Sequence, residues 1–314
     1  MTINNMTIID AHSHLWLKQD TVVDGQRIYT TTRGRSMFFD GERQMLPPFM
    51  ADGRNTAEIF LANMDYAQVS KAVVVQEVID GYQNDYLAEV AQKYPDRFFV
   101  CGMPRLGLES AEAEKLISAD DILNDVKILY SRGFKGIAIP GHRVRRPLTD
   151  LLPAMKFMEA NKMTFSMCLA DDERQITEFQ QLITECPNLR IAIGHFGLAT
   201  TKNWKNQILL ARNSNVFIES GGITWLYNSE FYPFPSAVKA IREAADLIGI
   251  DKLMWGSDYP RTICAITYRM SYDFILKTND LTQSEKATFL GENAVKFYGF
   301  KNLPELEYVK NMSE

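Results

Sequence analysis

Apolar, β-branched runs recur from one end of the chain to the other. Between most of them lie stretches whose apolar residues return every three or four positions. The runs are Thr7–His14, Lys71–Glu77, Phe98–Pro104, Gly136–Pro140, Met163–Ala170, Arg190–His195, Val216–Ser220 and Lys252–Asp258. They are nearly continuous rather than alternating, the pattern of parallel strands covered on both faces. Ala57–Gln68, Asp85–Lys93, Leu151–Asn161, Ile176–Glu185 and Pro235–Leu247 have helical spacing; Ile176, Phe179, Leu182 and Ile183, for instance, share one face. Strand and helix alternating eight times predicts an α/β fold, a (β/α)8 TIM barrel, with residues 1–314 in a single domain. No repeat or low-complexity segment interrupts it. Residues 15–56, rich in Gly, Thr, Arg and Asp, break the alternation. They are expected to form a long loop after the first strand, a lid over the barrel mouth.

Composition narrows the class. The chain is 46% hydrophobic and 23% charged, with a mean hydropathy of −0.19, ordinary values for a soluble domain. A net charge of −5 and a pI near 5.6 argue against nucleic acid or an anionic membrane as the main partner. No apolar run approaches the length of a membrane-spanning helix. Met1–Asn5 shows no basic region followed by an apolar stretch, so no signal peptide is expected. Cys101, Cys168, Cys186 and Cys264 are scattered and form no CxxC, as in a reduced, cytoplasmic protein.

In a barrel the chemistry belongs at the C-terminal ends of the strands. The first run ends in His12-Ser13-His14, and period-two alternation projects both imidazoles to one side. Such a pair is half a metal site, or two donors for a carbonyl oxygen; in isolation it is as readily two unrelated surface histidines. All four histidines, however, fall at strand ends: this pair, His142 after the fourth run and His195 closing the sixth. Random placement would scatter them. The same ends offer Gln76, Glu77, Arg105, Cys168, Ala170, Glu219, Ser220 and Asp258.

Three motifs give these residues a context: Asp10-Ala11-His12-Ser13-His14-Leu15-Trp16, Gly194-His195-Phe196-Gly197 and Trp255-Gly256-Ser257-Asp258-Tyr259-Pro260. With Gly291–Gly299 as a closing helix, the chain resembles the amidohydrolase superfamily, and within it the amidohydrolase-2 branch of lactonases, decarboxylases and hydratases. The resemblance implies that His12, His14 and Asp258 bind one divalent metal, zinc or manganese, or else that the histidines hold the substrate carbonyl directly. It makes Asp258 the general base toward water and His195 a second polarising or proton-shuttling group. The chemistry agrees: a carboxylate beside two imidazoles can deprotonate water while a cation or a histidine pair stabilises the oxyanion.

The pattern also departs from many metal-dependent members, which resemble one another in a histidine ending strand five and a lysine or glutamate closing strand four. Here strand five ends in Cys168-Leu169-Ala170, and Lys135 stands at the start of strand four, so a binuclear site is not expected. Cys168 is the one candidate for the missing ligand, although a buried cysteine is more often just a small apolar residue. The departure, together with His142, resembles the sugar-acid and pyrone lactonases of the branch, some of which need no metal.

For substrate binding the candidates are Arg105 and Arg143, which could clamp a carboxylate, and Trp16 and Tyr259, which could pack a ring. Arg261, Trp225 and Tyr227 lie nearby, and Gln76 and Glu219 are polar residues in apolar strands, suited to orienting the histidines. The leading expectation is a hydrolase that opens a lactone of a sugar acid or small carboxylated ring, with catalytic residues Asp258, His195 and His142. The rivals are a metal-dependent decarboxylase or hydratase of a small unsaturated acid, and a catalytically silent ligand-binding barrel. A homodimer is a family-level expectation.

Overall fold

The computed structural model describes residues 6–310 and 312; Met1–Asn5, inspected above for a targeting signal, lie outside the described residues. Eight of the strands are parallel neighbours in one sheet: β1 (Ile9–Ser13), β6 (Lys71–Val74), β7 (Phe98–Gly102), β8 (Gly136–Ile139), β9 (Thr164–Met167), β10 (Arg190–Ile193), β11 (Val216–Glu219) and β12 (Leu253–Met254). All eight apolar runs of the sequence are represented. The sheet closes between its first and last strands through Ala11 N to Trp255 O at 2.9 Å, His14 N to Tyr259 O at 2.7 Å and a parallel bridge from Ser13 to Tyr259. The result is a single-domain TIM barrel, and Glu173–Glu185 and Pro235–Ile248 are among the helices that surround it.

The inner layer is built from Ile9, Ala11, Val73, Val75, Phe99, Cys101, Ala138, Ala192, Phe217 and Met254, with Phe297 and Tyr298 of the last helix packed against them. A second, larger cluster joins the strands to the helices. Strict alternation would send His12 to the opposite face from Ile9 and Ala11. The pairing of β1 with β6 instead shifts register between Asp10 and Ser13, and this irregularity aims His12 and His14 into the mouth.

The segment 15–56 corrects the expectation of a loop. It folds as a four-stranded antiparallel sheet: β2 (Asp20–Val23), β3 (Gln26–Thr30), β4 (Arg35–Phe38) and β5 (Gly41–Gln44). The β2–β3 turn is Asp24-Gly25, both with positive φ (53° and 75°), the conformation a two-residue hairpin demands. Asp24 N and Gly25 N donate to Leu108 O and Glu109 O, and Val23, Ile28, Phe38 and Met45 enter the main core. The sheet is docked beside the mouth, and no residue of 15–56 lines the cleft described next. No helix among the described residues is long and apolar enough to cross a membrane.

Candidate active site

A cleft of about 290 Å3 opens at the C-terminal ends of the strands. His12, His14, Glu77, His142, Arg143, Cys168, His195, Trp225, Asp258 and Arg261 line it, between apolar walls that include Val75, Ile139 and Leu169. At its floor three electron-pair donors converge. His12 Nε2 lies 3.1 Å from His14 Nε2, and Asp258 Oδ1 lies 2.9 Å from His14 Nε2 and 3.6 Å from His12 Nε2. The three residues are fully buried or nearly so.

The local backbone is shaped for this meeting. Asp258 follows β12 with φ at +60°, a left-handed conformation uncommon outside glycine, and its N–H donates to His12 O at 2.9 Å. His195 and Phe196, just after β10, also have positive φ (53° and 51°). Room for the His12 ring depends on two glycines. A Cβ on Gly221 would stand 2.7 Å from His12 Cγ, and one on Gly256 would stand 2.7 Å from His12 Cβ.

Each ring is held by a partner. His12 Nδ1 donates to Glu219 Oε1 at 2.6 Å, and Glu219 Oε2 accepts from Gly221 N at 2.5 Å. Burial pushes Glu219 up to about 7 and His12 down to about 4, so this short contact holds a proton between two groups that both resist charge. His195 Nδ1 donates to Gly221 O at 2.8 Å, which leaves Nε2 with a free lone pair; burial lowers this imidazole too, keeping it neutral. Asp258 behaves oppositely. Burial alone would raise it, but the His14 hydrogen bond and the Arg261 charge outweigh burial and hold the carboxyl well below the usual carboxylate range. Its Oδ2 accepts from Trp225 Nε1 at 2.8 Å.

The donor set fits one divalent cation. Ligand atoms 2.0–2.1 Å from a tetrahedral ion stand roughly 3.3 Å apart, close to the three separations seen here. His14 supplies a further sign. With Nε2–H turned to Asp258, its buried Nδ1 has no hydrogen-bond partner, and the nearest carboxylate oxygen is Asp80 Oδ2 at 3.8 Å. Giving Nε2 to a cation would put the proton on Nδ1, facing Asp80. His12 already has the matching arrangement with Glu219, the carboxylate–histidine pair that orients metal-binding imidazoles. Cys168 lines the cleft but is not one of the converging donors, and burial together with Glu219 pushes its thiol well up. Its place is in the wall of the cleft, apart from the three donors that converge.

The other sequence candidates divide. Arg143 reaches the cleft with Nε donating to Glu77 Oε1 at 2.7 Å, and His142 Nε2 lies 3.3 Å from Glu77 Oε2. Burial raises Glu77, but His142, Arg143 and Arg261 more than offset it and hold the carboxyl below its usual range. Arg105 is a correction. It forks onto Asp125 at 2.9 and 2.7 Å with its side chain 69% exposed, and it faces a different depression from the cleft. Tyr259 is a second correction. It is fully buried, its ring 4.0 Å from that of Phe60 and 5.5 Å from that of Tyr268, so it packs in the core and not against a substrate. Trp16, the third, donates to Gly53 O at 2.9 Å and packs with Leu46 and Met50, supporting the inserted sheet and not a substrate ring. Gln76 braces Asn84 and Gln83 and does not touch a histidine.

Asp80 was not singled out in the sequence. It ends a short turn, Val78–Asp80, and binds Arg261 Nη2 at 2.7 Å and Gln19 Nε2 at 3.2 Å. The signal was available: an acid directly after two apolar residues and before Gly81 at a strand end. Arg261 is half-buried between Asp80 and Asp258; its Nη1 lies 3.7 Å from Asp258 Oδ1 and makes no hydrogen bond.

Residues 9–300 match the family model described as amidohydrolase. Among solved structures, the chain is similar to one from Acinetobacter baumannii, described as a probable 2-pyrone-4,6-dicarboxylic acid hydrolase with citric acid bound (18% identity, 94% of this chain and 100% of that one, TM-score 0.66). An amidohydrolase from Burkholderia multivorans with bound zinc aligns at 16% identity over 95% and 100%, TM-score 0.65. A 5-carboxyvanillate decarboxylase from Novosphingobium aromaticivorans, complexed with manganese and a nitrobenzoic acid, aligns at 18% over 77% and 80%, TM-score 0.54. At these identities the likeness is one of fold. No curated protein matches the sequence.

Proposed function

This chain belongs to the amidohydrolase family, and on that premise we propose that it hydrolyses a lactone of a sugar acid or another small carboxylated ring. The observation that carries the reading is the convergence of His12, His14 and Asp258 on one point of a cleft that also holds the half-buried Arg261, whose Nη1 makes no hydrogen bond. His12 Nε2, His14 Nε2 and Asp258 would hold one zinc or manganese ion, which supplies Lewis acidity: it polarises a carbonyl and lowers the pKa of water from about 15.7 to roughly 7. Asp258, whose carboxyl His14 and Arg261 hold below the usual range, would accept the proton of water brought to the cleft floor. His195, kept neutral by burial and with Nε2 free, would carry that proton to the ring-opened leaving oxygen.

The outer nitrogens of Arg143 and Nη1 of Arg261 would take a substrate carboxylate, since Arg143 donates to Glu77 through Nε, Arg261 donates to Asp80 through Nη2, and Nη1 stands 3.7 Å from Asp258 without a hydrogen bond. The apolar walls flank a planar or puckered ring and exclude bulk water. Ring opening of a pyrone dicarboxylate, the chemistry named for the Acinetobacter protein, is of this kind. We place the reaction in the cytoplasm, on the four free cysteines.

Decarboxylation is the second reading, because the same guanidinium would set a carboxylate beside the cation. One experiment separates the two. Protein purified without chelator is assayed for metal, then offered lactones (proton release) and aromatic or unsaturated acids (carbon dioxide release). Lactone turnover lost on chelation is expected. Carbon dioxide release without lactone turnover would replace the first reading with the second, and no turnover of either class would favour a silent binding barrel.

A further inference from the structure

At the opposite end of the barrel a second cavity, about 400 Å3, opens between the starts of the strands and the residues after the last helix. Its charged residues are Lys71, Lys135, Lys301 and Asp96. Lys71, the first residue of β6, is only 3% exposed, yet its ammonium has no hydrogen-bond or ion-pair acceptor among the described residues. Nζ stands 5.5 Å from the centre of the Phe300 ring and feels the Asp96 charge from beyond ion-pair distance. Lys135 and Lys301, on the exposed rim, are likewise unpaired, and Asp96 pairs with none of the three. The stem of Lys71 is buried while Nζ opens into the cavity, so its three donors are met there by water or by a ligand and not by protein.

We propose that this cavity binds a small, multiply charged oxyanion, a phosphate ester or a polycarboxylate, with Lys71 as its buried anchor and Lys135 and Lys301 closing over it. Three point charges on flexible stems suit phosphate or carboxylate oxygens of varied geometry. Phe98, Phe99 and Phe300 supply an apolar wall for the organic body of the ligand. The site is separate from the cleft: the two share no lining residue and lie at opposite ends of the strands. It rests on none of the residues used for the lactonase reading.

The test uses the whole chain with inorganic phosphate and, separately, citrate as probes, against sodium chloride at matched ionic strength. Melting temperature and titration calorimetry are recorded for wild type, Lys71→Met, Lys71→Arg and the rim double variant K135A/K301A. Wild type should melt roughly 2–5 °C higher with a saturating probe. Lys71→Met should lose that shift and bind at least about 10-fold more weakly, Lys71→Arg should retain both, and the rim variant should fall between. A response to phosphate alone or to citrate alone supports the site and identifies the oxyanion class. Equal shifts in wild type and Lys71→Met would place binding elsewhere, the catalytic cleft included, and overturn the proposal. So would an equal shift with chloride, or none with either probe. Should Lys71→Met fail to fold, the rim double variant still decides, because both residues are exposed: an undiminished response there refutes the proposal.

Discussion

Asp258 occupies a backbone conformation that costs energy, accepts from both His14 and Trp225, and stays ionised because its neighbours outweigh burial. A residue so constrained has one productive orientation. Asp258→Asn should keep the fold and lower kcat by about 10^2–10^4-fold, measured with whichever lactone the protein turns over; turnover within a few-fold of wild type would remove Asp258 from the chemistry. Glu219 acts one bond further out. Glu219→Gln keeps its shape but replaces the short carboxyl contact to His12 Nδ1 with a weaker amide one, so affinity for zinc should drop about 10–100-fold in chelator competition while the melting temperature changes little. Unchanged affinity would reduce Glu219 to a packing residue. For Glu77 the pH dependence has a definite sign. Its folded pKa is depressed, so it contributes stability above the ordinary glutamate value near 4.3, and that contribution is lost as pH falls toward the folded value. Glu77→Gln should therefore be less stable than wild type at pH 7 by about 1–3 kcal/mol, and the gap should narrow between pH 5 and pH 3. A constant gap would sink the ion-pair account. These residues were unevenly legible in the chain. The histidines and Asp258 could be read because strand ends converge in a barrel, and Glu219 because an acid inside an apolar strand needs a partner. Arg105 misled because its partner Asp125, on the helix Ala119–Ser131, could not be seen from a strand end.

Among elements, the inserted sheet was the least legible, although Asp24-Gly25 is a strong local hairpin signal. Its strands are short and half-exposed; Gly41–Gln44, Gly-Glu-Arg-Gln, has no apolar alternation at all. What fixes the sheet is tertiary: Phe38 and Ile28 sit in the main core, Gln19 bonds to Asp80, Ser36 bonds to Gln19, and Arg145 reaches Asp24. The insertion thereby buttresses Asp80 and ties down Arg145, two residues beyond the His142–Arg143 turn, without entering the cleft. It should melt with the barrel rather than ahead of it. Phe38→Ala is expected to cost about 3–5 kcal/mol and to shift a single calorimetric transition downward. An early separate transition, with the main one unmoved, would show the sheet to be an independent appendage.

At the scale of the whole molecule, the eight apolar runs were enough to predict the barrel, because parallel strands buried on both faces leave a continuous hydrophobic record that helices and turns do not imitate. The boundaries of closure were not in that record. The last strand is only Leu253–Met254, and the seam depends on single backbone contacts: Ala11 to Trp255, Asp258 to His12 and His14 to Tyr259. These contacts bring His12, His14 and Asp258 together whether or not a cation lies among them, and each of the three residues has protein partners of its own. Metal removal is therefore expected to separate activity from folding. Exhaustive chelation should abolish turnover, leave the far-ultraviolet circular dichroism unchanged, and lower the melting temperature by only a few degrees, the amount that loss of a ligand bound to the native state entails. Adding back zinc or manganese should restore both. Unfolding on chelation would instead mean that the cation, and not the backbone seam, holds the first and last strands together, since His12 and His14 lie on one side of that seam and Asp258 on the other.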